Sequence, residues 1–186
     1  MDAAIKQAVE TLHELVKEDD QQQNRVAARR ELWGQTTKQA VLDAFIEIIG
    51  CYNQAGRPLF VDEGHFFQNF ESVQLRFGSI PTGIMKQTDY RTSIGIERGA
   101  ALVFGQSESG SIGVTRYPFC SDLPDEKAER RDDYDHVGLY EPEEVTREFV
   151  LNQAKEFFGW AGRTSYRATP DLGNKRSIGF LPPPIE

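Results

Sequence analysis

The chain has 186 residues, a length that fits one domain and buries roughly 70% of its surface without disulfides or metals. Lys and Arg number 21 against 29 Asp and Glu, a formal charge of -8, which excludes a strongly basic nucleic-acid binder. A hydrophobic fraction of 39%, with 12 Phe, 6 Tyr and 2 Trp, excludes a disordered chain.

Ile5, Val9, Leu12 and Val16 recur at helical spacing, with Glu10, Glu14 and Lys17 between them, and predict a helix over residues 2–18. The polar run from Asp19 to Asn24 either breaks this helix or is its solvated middle. Asn24 could cap a short helix through Trp33, which Gly34 would end. Thr36 and Gln39 have the T-x-x-Q spacing of a capping box, which predicts a fresh helix start. That helix would turn Val41, Ala44, Phe45, Ile48, Ile49 and Tyr52 inward, and Gly56 and Pro58 would stop it.

Leu59 to Val61 reads as a short strand, and residues 63–70 as a helical turn or two. From Ser72 the period becomes two, with Val73, Leu75 and Phe77 on one face. A loop with Pro81 and Gly83 is expected next, then strands over residues 90–97, 100–106 and 111–117. Arg98-Gly99 reads as a tight turn, and residues 107–110 as a hairpin loop, so an antiparallel meander is expected. Residues 118–141 read as a polar loop. Pro142 would open a last helix carrying Val145, Phe149, Val150, Ala154, Phe157 and Phe158 inward. Residues 177–181 have the character of an edge strand, and Pro182, Pro183 and Pro184 make a stiff, flexibly attached tail over 182–186.

These elements predict a single α+β domain over residues 1–186. An antiparallel meander of about four to five strands packs with two N-terminal helices and one C-terminal helix. No basic patch precedes an apolar run at the start, and no stretch approaches 18 uncharged apolar residues. Neither a signal peptide nor a membrane association is therefore expected, and the chain is placed in a bacterial cytoplasm. Cys51 and Cys120 read as two reduced, buried thiols.

Local chemistry clusters in three places. Asp62-Glu63-Gly64-His65 has two carboxylates and an imidazole, and on a strand Glu63 and His65 would share a face. They are weak candidates for acid–base or metal-dependent hydrolysis, against a plain turn with a partly exposed His. Asp132, Asp133, Asp135 and His136 form an acidic loop with Asp125 and Glu126, flanked by Arg130 and Arg131. The acidic loop over about 121–141 and the helix start through 148 hold eleven acids against four bases, and a basic protein partner would suit the loop, as in an immunity-type inhibitor. Phe60, Phe66, Phe67 and Trp160 belong to aromatic-dense segments that fill a core, line an apolar pocket or form a subunit interface. No P-loop, dinucleotide fingerprint, nucleophile elbow or zinc helix is present, and no cofactor, resident metal or nucleic-acid partner is expected.

Two stretches carry a resemblance. Val103-Phe104-Gly105-Gln106, running through Gly113 to Arg116-Tyr117-Pro118-Phe119, and the late helix into Arg163-Thr164-Ser165 resemble uncharacterised bacterial accessory proteins of the mobile gene-cassette type. The resemblance implies no activity, cofactor or catalytic residue. It implies a small protein that works by binding something, and a homo-oligomeric binding protein is the leading expectation.

Overall fold

A computed structural model describes residues 3–52, 58–66, 70–88, 91–121 and 134–164. Helix α1 (Ala3–Leu32) runs through a π-helical segment (Trp33–Thr37) into α2 (Lys38–Tyr52). The expected pair of N-terminal helices is one joined helix. The polar run does not break it, because Gln23 donates to the Asp19 carboxylate one turn back (2.8 Å). The capping box does not form either. Thr36 Oγ1 donates to the Leu32 carbonyl (3.1 Å) and Gln39 Nε2 to the Asp43 carboxylate (2.8 Å), so both residues lie inside a continuing helix. Gly34, expected to end a helix, is absorbed in the π-helical segment, whose Trp33 is buried.

Eight strands follow among the described residues: β1 (Leu59–Phe66), β2 (Phe70–Phe77), β3 (Ile80–Thr88), β4 (Arg91–Arg98), β5 (Ala101–Gln106), β6 (Ile112–Tyr117), β7 (Cys120–Ser121) and β8 (Asp135–Tyr140). The main sheet has the order β1-β2-β5-β6-β8, antiparallel throughout, and a smaller sheet has the order β3-β4-β7. The two sheets share one register. The ladder Arg76↔Ala101 passes through a Phe77 N–H to Ala100 carbonyl bond (2.9 Å) to Ile80↔Glu97. Likewise Ala101↔Tyr117 continues as Arg98↔Cys120.

A long hairpin thus springs from the meander, and several expectations change with it. Gly99 has a left-handed φ of 76° but bends a continuing strand instead of reversing it. The stretch with Pro81 and Gly83 is strand β3, and residues 63–66 extend β1 instead of making a helical turn. The supposed loop 118–141 holds β7 and β8. Pro142 opens a 3-10 turn (Pro142–Glu144), and α3 (Arg147–Thr164) starts after it.

One face of the sheet and the helices α2 and α3 enclose the core. Val41, Ala44 and Phe45 of α2 and Val150, Ala154, Phe157 and Ala161 of α3 cover Leu75, Phe77, Leu102, Phe104, Ile112 and Val114. Both helical sets follow three-and-four spacing, and the strand sets follow period two. Phe45 meets Phe104 edge-on (5.7 Å), and Phe77 lies among Tyr52, Phe119, Phe157 and Phe158. Cys51 and Cys120 are free thiols, but both are exposed, so the expected burial does not hold. The tail and the strand expected over 177–181 lie outside the described residues.

Candidate functional site

Along α1 the chain leaves its own core. Residues 5–25 are all exposed, about 30 Å of helix at 1.5 Å per residue. Among the described residues the body grips this arm at its base. Arg29 pairs with Glu141 through both guanidinium nitrogens Nε and Nη2 (2.6 and 2.5 Å) and donates to the Ser109 carbonyl (3.2 Å). Arg30 donates to the Glu108 carbonyl (3.1 Å), so the β5–β6 hairpin tip clasps the last turns of α1. Beyond the clasp, the apolar stripe read from the sequence is in water, and so is Leu15 beside it. Ile5 is 54% exposed, Val9 42%, Leu12 58%, Leu15 57% and Val16 52%.

Nearer the body, Glu63 and His65 do share a face at the start of the sheet, as strand geometry requires. His65 stands opposite Glu71 in the β1–β2 register. The Glu63 carboxylate is engaged by Lys38, whose Nζ lies 2.9 Å from it and 3.3 Å from Glu71 Oε2. The Trp33 indole N–H also donates to Glu71 Oε2 (3.3 Å). An ammonium between two carboxylates is an electrostatic clamp joining the start of α2 to β1 and β2. Among the described residues no three His, Cys, Asp or Glu side chains group closely enough to hold a metal ion. Lys38 and Glu71 carried no signal in the sequence, because they meet across more than thirty residues.

The hydrogen bond to Glu63 raises the Lys38 pKa above 10.5, against the opposing effect of burial, with Glu71 adding to the rise. A raised pKa means that the clamp contributes fully below pH 10.5 and fades as pH climbs through the raised value. Burial, with Tyr134 beside it, likewise raises the Tyr117 phenol above 10.0, so its contribution is lost over a similar alkaline range. Lys38→Met is expected to lower stability by about 1 kcal/mol at pH 7, the upper range for a partly exposed pair. Denaturant titrations should show the gap between wild type and variant closing as the pH rises beyond 10.5. A gap that persists there would contradict the clamp.

The other expected site residues are scattered. Phe60 is 45% exposed and stacks under Arg76, whose guanidinium carbon lies 5.4 Å from the ring centroid, while Asp62 accepts from Arg76 Nε (2.9 Å). Trp160 packs against Phe157 at 6.4 Å. The Phe66 side chain and all of Phe67, Asp125, Glu126, Asp132 and Asp133 lie outside the described residues. Asp135, expected in an acidic loop, sits on β8 and pairs with Arg116 (3.4 Å). A shallow groove of about 300 Å³ opens between α2 and α3, lined by Glu47, Ile48, Cys51, Tyr52, Leu151 and Phe158; neither Phe60 nor Trp160 lines it.

Among the described residues no helix is long and apolar enough to cross a membrane. No family model, curated protein or solved structure matches the chain.

Proposed function

We propose that this chain is a binding protein without catalytic activity, and that the exposed half of α1 is its working element. The observation that carries this reading is the exposed apolar stripe of Ile5, Val9, Leu12, Leu15 and Val16. Most helical stability in proteins comes from packing an amphipathic face rather than from propensity. A stripe of this kind gains its stabilisation by packing against another helix. The clamp at Lys38 and the clasp at Arg29 give the arm a rigid root, which suits an element that must meet a partner in one orientation.

The double substitution Leu12→Asp with Leu15→Asp tests the reading. Exposed positions away from the core tolerate such changes, so the stability of the body should shift by less than about 0.5 kcal/mol in denaturant titration. Two leucines buried against the body would instead cost several kcal/mol. Such a loss would show that the stripe is core after all and would overturn the reading.

A further inference from the structure

We infer that the partner of the arm is a second copy of this chain, packed antiparallel, with Ile5 against the partner's Val16 and Val9 against the partner's Leu12. The inference rests on the reading of the arm as a binding element and goes on to name what it binds.

The seam has the steps four, three, four from Ile5 to Val9 to Leu12 to Val16. These are the a and d positions of a two-helix seam, which Leu15 and Ala8 widen along one flank. The steps read the same in both directions. Reversing one helix about the midpoint between Val9 and Leu12 therefore places an apolar side chain opposite an apolar side chain in all four layers. The same reversal sets Leu15, which flanks the seam, beside the partner's Ala8, where a small side chain lets it pack closely.

A parallel pair fares worse. It continues the seam toward the body through Asp19 and Gln23, so each Asp19 carboxylate meets its own copy. It also sets Leu15 beside the partner's Asp20. The antiparallel pair also sets Asp19 opposite an aspartate, the partner's Asp2, beyond the last apolar layer, so the flank of Leu15 is what favours it.

Size and shape agree with this assembly. Four layers and their flanks bury roughly 900 Å² in total, below the range of about 1,200–2,000 Å² for stable interfaces. The dimer should therefore be weak and concentration-dependent. The arms overlap near their tips, and about 22 Å of helix from the seam's midpoint to each root keeps the two bodies from colliding.

Sedimentation equilibrium on the full chain, from about 1 to 500 μM, should show a monomer–dimer equilibrium with a dissociation constant of roughly 10–300 μM, in the range of weak complexes. Leu12→Asp with Leu15→Asp should remain monomeric throughout. Orientation is read by disulfide trapping in a Cys51→Ser, Cys120→Ser background, mixing a Val9→Cys chain with a Leu12→Cys chain. The mixed disulfide should exceed either homodimeric one by about fivefold, because only the antiparallel layers oppose these two positions. Homodimeric disulfides in excess, or a dimer indifferent to the double substitution, would overturn the inference. A chain still monomeric at 500 μM, with the body of the double variant intact, would reject the second copy and leave the binding arm standing. A destabilised double variant would reject both.

Discussion

Glu156→Ala combined with Asp135→Ala is expected to lower stability by about 3 kcal/mol, whereas Arg116→Met should cost less than about 1 kcal/mol. Both changes dissolve the same ion pairs, so the difference lies in what each leaves behind. The Arg116 side chain is 10% exposed, while Asp135 is 45% and Glu156 61% exposed. Its Nη2 donates to Glu156 (2.6 Å) and to the Gln153 side-chain oxygen (2.9 Å), and its Nε is buried with no hydrogen-bond partner among the described residues. Removing the carboxylates strands a buried cation that already has one orphaned N–H, held by Gln153 alone. Removing the arginine lets both carboxylates turn into water, and a methionine of similar length fills the space. Chemical denaturation of the three variants, with Arg116→Met added to the double change, closes the cycle. Adding it should recover about 2 kcal/mol. If Arg116→Met alone were the most damaging, the guanidinium would be contributing through its bonds and not merely tolerated.

What could be read from the sequence follows from the range of the forces involved. The inward faces of α2 and α3 and the β5–β6 hairpin were legible because they need nothing beyond local period and turn residues. The helix start at Thr36 was misread because a capping box signals a start only where no helix already runs. Propagation into the next turn costs far less than a new nucleus, and buried Trp33 holds the junction. Pro81 was read as a loop residue, yet among the described residues β3 is the edge strand beside β4, where a missing N–H is tolerated. Gly99 advertised a left-handed residue, but that conformation serves a bend as well as a reversal. At the site, strand alternation correctly placed Glu63 and His65 together, whereas Lys38 arrives from a distant helix and no local pattern announces it. The stripe on α1 was visible as a stripe. Its period says that something apolar should lie opposite, and cannot say whether that is the same chain. The signal that tells them apart was the polar pair Asp19 and Gln23 on the same face, since a helix crossing its own core would have stayed apolar there.

The clasp at the root of the arm is expected to fail when Gly110 is replaced by Ala, at a cost of about 3 kcal/mol. Gly110 has a φ of 78°, where a side chain costs roughly 1–2 kcal/mol by itself. A Cβ there would also stand 2.9 Å from the Val26 carbonyl oxygen and 2.9 Å from Arg29 Cβ, so helix and hairpin tip would have to separate. Separation loosens the Arg29 and Arg30 bonds to the carbonyls of Ser109 and Glu108. Gly99 supplies the control within the same molecule. Its φ of 76° is nearly identical, but nothing lies within 4 Å of a Cβ built on it. Gly99→Ala should therefore cost only the backbone term, about 1 kcal/mol. Amide exchange separates local from global damage: Gly110→Ala should speed exchange over residues 26–33 at least tenfold more than Gly99→Ala does. Equal costs for the two glycines, or unchanged exchange at the end of α1, would mean that the hairpin tip does not hold the arm. In that case an antiparallel pair of arms would join its two bodies through loose roots, and the orientation of one body toward the other would not be set by the fold.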